Sequence, residues 1–305
     1  MKLINHSIIG GGLSALIRDQ ISKKALIFYS TNRKIKKSSR FYEFDDIGGN
    51  TNIWGGYINY ERFNYLKKNK KFKIFFEKTK LFKIKKFIEN RDFNKTFYLC
   101  EKKSNNVFRI KKSNFKNKTI DNKIRKITIN KNCIILHGKK KYKTKNLSCC
   151  IGNLSLIELL YNSNLIKKSD KINFYDGSCR YSINIFKNLK KNYYIPMTMF
   201  EIIKKLIFGK IRNYDSKITN SIILQNFPNN YKKYKYTVDE IISFKYKYIR
   251  FFLSNHITNL SINNVSINNF IKKKSHRIKV FNSGICKKYS PGPISQDIIF
   301  NALNK

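Results

Sequence analysis

The stretch Ile8-Ile9-Gly10-Gly11-Gly12-Leu13-Ser14-Ala15 decides the fold, because an apolar strand breaks there into a glycine turn that opens a helix. Gly10 permits the tight turn, Gly12 lets the backbone approach a phosphate, and Ala15 lets the helix pack closely on the strand. The helix N-terminus offers N–H donors and a positive dipole end. The pattern predicts a strand–helix–strand unit that binds the pyrophosphate of a dinucleotide.

The second strand of this unit is predicted at residues 25–29 (ALIFY), at the spacing expected of a βαβ unit. In many dinucleotide-binding folds the second strand ends in an acid that binds the ribose. Ser30 and its neighbour Thr31 hold that position here, so the acid is missing. The Ser30 hydroxyl is the expected ribose contact, weaker than a carboxylate.

The chain is strongly basic, with 64 Lys and Arg against 18 Asp and Glu in 305 residues and a net charge of +46. Such a charge is often a sign of nucleic-acid binding. The lysines, however, are spread over almost every segment together with Asn, Ile, Tyr and Phe, which indicates A/T-rich coding rather than a binding face. We therefore expect no specific nucleic-acid partner, although a basic polyanion-binding protein stays as a third hypothesis.

Cysteine and histidine placement gives no metal site. The six cysteines show no CxxC pair, and the four histidines are isolated from one another, so neither residue type has metal-ligand spacing. The first apolar segment is short and ends at the glycine turn, which is not typical of a signal peptide. We expect a cytoplasmic protein in a reducing compartment.

The remaining pattern is mixed helix and strand. Helices are predicted over 60–95 and 238–260, short strands over 96–100, 107–110, 124–129 and 133–136, and a final helix over 294–303. Residues 197–211 form a basic amphipathic pattern. Packing on the protein itself is the simpler interpretation of that pattern, and peripheral contact with an anionic membrane is the alternative.

A glycine-rich loop follows at 48–56 (GGNTNIWGG), with four of the 13 glycines of the chain and its only Trp. That much glycine around one tryptophan indicates backbone in special conformations close to a flat, partly apolar surface.

Four separated segments, in this order, resemble the glucose-methanol-choline family of flavoprotein oxidoreductases, and more closely its bacterial members encoded among surface-polysaccharide genes. Residues 10–15 are similar to the family's FAD pyrophosphate loop, and 48–56 to the loop that packs on the flavin. Residues 149–163 look like its strand–glycine–helix segment beside the cofactor. Residues 280–295 look like its C-terminal segment, which returns to cover the flavin.

The resemblance implies an α/β fold with a discontinuous, Rossmann-like FAD-binding domain, formed by residues 1–170 and 275–305 and containing a parallel sheet with helices and a small antiparallel sheet. A reduced α+β substrate or cap domain, residues 171–274, is inserted into it. The cofactor would be FAD. The implied cofactor-binding residues are Gly10, Gly11, Gly12, Leu13, Ser14, Ala15, Ser30, Gly48, Gly49, Asn50, Thr51, Asn52, Trp54, Gly55, Gly152, Ser283, Gly284, Gly292, Pro293 and Ser295.

The implied activity is oxidation of an alcohol group, possibly of a sugar or glycan precursor, with hydride transfer to the flavin and an electron acceptor that the sequence does not specify. The family's catalytic histidine, in an HxxGT stretch, has no clear counterpart. His256 and His276 are the candidates for the base. The absent motif, the missing acid and the short substrate domain favour the alternative of a catalytically degenerate FAD-binding protein.

Overall fold

The structure is a computed structural model, and it describes residues 1–31, 35–37, 42–44, 46–49, 57–79, 81–88, 96–101, 108–176, 181–186, 218–224, 233–242, 257–286 and 295–304. Within these residues the helices are α1 (Leu13–Ile21), α2 (Tyr60–Lys67), α3 (Lys70–Lys78), α4 (Asn153–Asn162), α5 (Val238–Ile242), α6 (Ile267–Lys274) and α7 (Ser295–Asn304). The strands are β1 (Leu3–Ile9), β2 (Leu26–Tyr29), β3 (Ile35–Lys37), β4 (Tyr42–Phe44), β5 (Tyr57–Asn59), β6 (Phe82–Ile88), β7 (Thr96–Glu101), β8 (Thr119–Asp121), β9 (Lys126–Ile129), β10 (Ile134–His137), β11 (Lys141–Cys149), β12 (Lys171–Asp176), β13 (Tyr181–Phe186), β14 (Ile218–Leu224), β15 (Lys233–Thr237), β16 (Ile257–Ile262), β17 (Val265–Ser266) and β18 (Ile278–Val280).

A seven-stranded sheet lies at the centre, with parallel strands in the order β8, β2, β1, β11 and β18. One side of β11 pairs with β1, and its other side pairs first with the antiparallel β10 and then with β18. The antiparallel pair of β9 and β10 extends the sheet. The parallel strands therefore end together at one edge, here called the carboxyl edge, where open α/β sheets bind their ligands.

The inner strands are buried on both faces, as parallel strands usually are. Ile8 and Ile27 pack towards α1 and α7, whereas Ile9 and Phe28 pack towards α4. All four side chains are at most 2% exposed. This alternation follows from the two-residue period of a strand, and it sandwiches the sheet between two hydrophobic cores.

The described residues form four smaller sheets besides the central one. β5, β7 and β6 form a three-stranded antiparallel sheet, β3 pairs with β4, and β13 pairs with β14. A four-stranded antiparallel sheet has the order β15, β12, β16 and β17. Its buried side chains, among them Ile172 and Phe174, share one core with Leu156 and Leu160 of α4. The separation of residues 171–274 as a substrate domain stays a prediction.

Two predicted helices are wrong in part. The helix over 60–95 is divided at Asn69, whose side chain caps α3, and the chain then leaves helical conformation at Thr79. Residues 82–88 form β6 because they pair with β7 and because Phe82 packs on the aromatic rings of Phe75 and Phe76. Strand pairing overrides the local helical pattern there.

The helix predicted over 238–260 is α5, which ends at Ile242, and residues 257–260 belong instead to β16, which pairs with β12. The intervening residues 243–256 lie outside the described part. Residues 108–110, predicted as strand, are irregular backbone, in which the Phe108 N–H donates to the Leu99 carbonyl over 3.1 Å.

No helix in the described part of the chain is long and apolar enough to cross a bilayer. The segment 197–211, with its predicted membrane-surface contact, lies outside the described residues. The five cysteines that the structure describes are free thiols.

Candidate functional site

The glycine turn lies at the carboxyl edge, between β1 and α1. Gly10 has φ of +116° and its N–H donates to the Phe28 carbonyl over 2.8 Å. A Cβ at Gly10 would lie 2.5 Å from the carbonyl oxygen of Cys150. Both the backbone conformation of Gly10 and the close approach of the segment after β11 therefore require glycine.

No side chain caps the N-terminus of α1. Gly12 caps the helix with φ of −84° and ψ of −169° and contributes no side chain to the cap. Backbone N–H groups in the first turn of a helix have no acceptor within the helix, and the dipole is positive there. Leu13 and Ser14 lie in this turn, and Ala15 is fully buried against the sheet. This donor set fits a pyrophosphate.

The second glycine-rich segment docks directly on this turn. The Gly48 N–H donates to the Gly11 carbonyl over 2.7 Å, and a Cβ at Gly11 would lie 2.9 Å from Cα of Ile47. Gly48 and Gly49 have φ of +87° and +49°, which side chains disfavour. Asn50, Thr51, Asn52, Trp54 and Gly55, the rest of this predicted set, lie outside the described residues.

The third segment follows β11 at the same edge. The Cys150 N–H donates to the Ile9 carbonyl over 2.8 Å, so the ends of the two strands stay paired. Gly152 then caps α4, again without a side-chain hydrogen bond. Burial raises the pKa of Cys150 to about 12, although Arg18 and a hydrogen bond with Ser14 act in the opposite direction. Cys150 is therefore a neutral packing residue rather than a nucleophile.

The fourth segment continues the edge beyond β18. Asn282 accepts from the Gly284 N–H at 3.1 Å and donates to the Ile151 carbonyl at 3.2 Å. Asn153, at the start of α4, donates from Nδ2 to Ser283 Oγ over 2.8 Å. The buried Oδ1 of Asn153 has no hydrogen-bond partner among the described residues. The predicted residues Ser283 and Gly284 therefore lie beside the start of α4.

The C-terminal helix packs against α1, the helix that follows the glycine turn. Ser295, a predicted site residue, is buried at the start of α7, while Gly292 and Pro293 lie outside the described residues. Arg18 of α1 donates to the Ala302 carbonyl over 3.0 Å and stacks its guanidinium on Phe281, 4.4 Å from the ring centre. One arginine thus joins α1, α7 and the segment after β18.

The two histidine candidates differ in position. His276 is exposed in the turn before β18, at the amino end of that strand, whereas the glycine segments lie beyond the carboxyl ends. The structure does not bring His276 together with them, because the length of β18 intervenes. His256 lies outside the described residues. Its neighbour Ile257 accepts a hydrogen bond from Asn153 Nδ2 over 3.3 Å.

The predicted ribose contact Ser30 is buried directly after β2. Beside it, Thr31 is hydrogen-bonded to Asp121, for which the sequence predicted no role. Asn153 and Asn282 were missed as well. Asn153 directly follows the predicted residue Gly152, Asn282 directly precedes the predicted residue Ser283, and this adjacency was the signal in the sequence. In the described part of the chain no group of His, Cys, Asp and Glu could hold a metal ion.

No protein-family model matches the chain, and no curated protein sequence matches it. Among solved structures, the crystal structure of pyridoxine 4-oxidase from Mesorbium loti is similar over 98% of this chain and 97% of that chain, with 9% identity and a TM-score of 0.50. A mutant of NikD, described as an unusual amino acid oxidase essential for nikkomycin biosynthesis, covers 100% of this chain and 94% of its own at 7% identity and a TM-score of 0.38.

At such identities the similarity to pyridoxine 4-oxidase shows the fold alone. The predicted fold class is confirmed: the chain has an α/β, Rossmann-like fold, with a mixed sheet, flanking helices and a small antiparallel sheet.

Proposed function

We propose that the protein is an FAD-dependent oxidoreductase that oxidises an alcohol group of a small substrate. The observation that carries the proposal is the 2.7 Å hydrogen bond from Gly48 N–H to the Gly11 carbonyl. It joins two glycine-rich segments at the carboxyl edge, where Gly152 and Ser283 also lie. A nicotinamide-binding unit needs only the first segment, so the combination favours flavin.

The residues present fit FAD at its phosphate end. In the proposed complex the N–H groups of the first turn of α1 would hold the pyrophosphate, and the segment from Gly48 would face the flavin. Gly12 leaves the approach to the helix open, since it has no Cβ. When bound, FAD would accept a hydride from a C–H bond of the substrate.

Binding of FAD is the first test. Purified protein, stripped of any flavin, should bind FAD with about one site per chain in a titration followed by flavin fluorescence. Gly12→Ala should fold normally, because its backbone is extended, and should bind FAD about tenfold more weakly. Wild-type protein that binds no FAD would overturn the proposal.

We propose His256 as the base for the hydroxyl proton. The support is its neighbour Ile257, whose carbonyl is hydrogen-bonded to Asn153 at the start of α4. His276, which lies at the amino end of β18 and away from the glycine segments, serves as the matched control. His256→Ala should lower the rate of anaerobic flavin reduction by about 10²- to 10⁴-fold, the usual contribution of general base catalysis, and His276→Ala should leave it unchanged. Equal effects of the two changes would refute this role.

A second function, FAD binding without alcohol oxidation, is favoured by the positions of the histidines that the structure describes. His6 is hydrogen-bonded to Ser148, His137 to Thr128, and His276 lies at the amino end of β18. Anaerobic mixing of the FAD-loaded protein with a panel of sugars and primary and secondary alcohols separates the two functions. Bleaching of the flavin by one compound supports the oxidoreductase, and no bleaching across the panel supports the second function.

A further inference from the structure

The end of β2 carries a carboxylate that is contributed by another strand. β8 runs parallel to β2 with Tyr29 opposite Asp121. The Thr31 N–H donates to Oδ1 of Asp121 over 3.2 Å, and the Thr31 hydroxyl donates to Oδ2 over 2.6 Å. The Asp121 carboxylate therefore lies directly beside the residue that follows β2 and Ser30.

This position is the one at which a dinucleotide-binding unit places its ribose-binding acid. The glycine turn ends β1, and neighbouring strands lie about 4.8 Å apart, so an adenosine with its phosphate on that turn extends over the end of β2. Ser30 and Thr31 provide no carboxylate of their own. Asp121 reaches the same place from the next strand.

The carboxylate is both oriented and available. An ionised carboxylate offers about four lone-pair sites, and Thr31 occupies one site on each oxygen. Asp121 is exposed, and no Lys or Arg in the described part of the chain forms an ion pair with it. One further site on each oxygen can accept a hydroxyl, and the vicinal hydroxyls of a ribose form such a pair of donors.

We infer that Asp121, oriented by Thr31, accepts the ribose hydroxyls of the adenosine half of the cofactor, in place of an acid at the end of β2. This inference rests on the proposed FAD binding. It assigns recognition of the adenosine ribose to a residue that lies about 90 positions beyond the second strand.

The test compares FAD with FMN, which lacks the adenosine half. Asp121→Asn should weaken FAD binding by about 10- to 100-fold, the usual range for a lost hydrogen bond to a charged group, and should leave FMN binding unchanged. Wild-type protein that binds no FAD rejects the proposed function. Wild-type protein that binds FAD, with Asp121→Asn binding it equally well, rejects this inference alone.

A matched control and a second ligand pair separate recognition from loop stability. Asp170 is a partly exposed aspartate whose side chain, like that of Asp121, is held by one backbone N–H, from Lys167, and one side chain, Asn263. Asp170→Asn should leave FAD affinity unchanged.

Wild-type protein should bind ADP more tightly than 2′,3′-dideoxy-ADP, and Asp121→Asn should bind the two alike. A variant that retains the preference would contradict the inference.

If Asp121→Asn does not fold, as judged by near-ultraviolet circular dichroism, the Thr31→Val variant tests the inference instead. It removes the 2.6 Å hydroxyl contact and keeps the backbone N–H. We expect it to weaken FAD binding by about three- to tenfold, since the carboxylate loses one of its two orienting bonds. Unchanged FAD affinity in a folded Thr31→Val would overturn the inference.

Discussion

Arg62 and Asp297 form an ion pair that fixes the C-terminal helix to the segment after the second glycine-rich loop. Nε and Nη2 of Arg62 lie 2.8 Å and 2.7 Å from Oδ1 of Asp297. Gln296 completes the junction, because it donates to the other Asp297 oxygen over 3.1 Å and accepts from the Asn59 N–H over 3.3 Å. The pair joins residues 235 positions apart and holds α7 against α2.

Removal of the arginine should destabilise the protein measurably. Arg62→Ala leaves Asp297, which is only 8% exposed, without its cation, and we expect a loss of about 1–3 kcal/mol in the free energy of unfolding by urea. The control is Lys73→Ala, because Lys73 and its partner Glu77 are 57% and 52% exposed at 4.0 Å. That change should cost less than about 0.5 kcal/mol. Equal losses would show that the partly buried pair of Arg62 and Asp297 stabilises the fold no more than an exposed pair does.

The loss in Arg62→Ala should depend on pH. Burial raises the pKa of Asp297 above its ordinary 3.8, while hydrogen bonding and charge from Arg62 oppose that rise. Without Arg62 the folded-state pKa rises further, so the folded state binds more protons than the unfolded state over a wider range above 3.8. Stability therefore falls as pH rises through this range, and the variant should lose more stability at about pH 7 than at about pH 4. Urea unfolding at both values measures the difference.

His6 should make the protein less stable in mild acid. Burial, together with the charges of Arg18 and Lys279, lowers the pKa of His6 from 6.5 to about 4. The unfolded chain thus binds more protons between these values, and stability is lost as pH falls from 6.5 towards 4. After solvent screening we expect about 2 kcal/mol. His6→Gln should flatten the stability profile in that range, and the exposed control His276→Gln should not.

The first and third glycines of the turn should respond differently to a methyl group. Gly10→Ala combines a φ of +116° with a contact of 2.5 Å to the Cys150 carbonyl, and we expect a loss of about 2–4 kcal/mol. Gly12→Ala adopts an ordinary extended backbone and should cost below about 1 kcal/mol. Thermal and urea unfolding compare the two. Similar losses would contradict the assignment of strain to Gly10.

Asn153 should be energetically coupled to Ser283. Asn153→Ala removes the donor to both Ser283 Oγ and the Ile257 carbonyl, and we expect a loss of about 1–3 kcal/mol. Ser283→Ala removes only the first of these bonds. A double-mutant cycle should give a coupling energy of about 0.5–2 kcal/mol. Strict additivity would mean that the 2.8 Å bond between them does not stabilise the fold.

The strand–turn–helix unit at the N-terminus could be predicted because its signals are local. Two apolar residues before Gly10, a helix directly after Gly12 and a second apolar run at residues 25–29 are all read within thirty positions. Strand identity failed where the conformation depends on a partner strand rather than on the local pattern. Residues 82–88 and 257–260 have patterns compatible with helix, and their strand conformation depends on β7 and β12 as partners.

By itself the sequence determined the glycine turns at the carboxyl edge and the strands and helices next to them, because these signals are local. Only the tertiary structure decided that Gly48 contacts Gly11 and that Cys150 lies against Gly10, because parallel pairing joins β1 to β11 across more than a hundred residues. The tertiary structure alone also brought Asp121 to the end of β2. The pairing of β8 with β2 places the Asp121 carboxylate beside Thr31, and the number of residues between the two does not predict how far apart they lie.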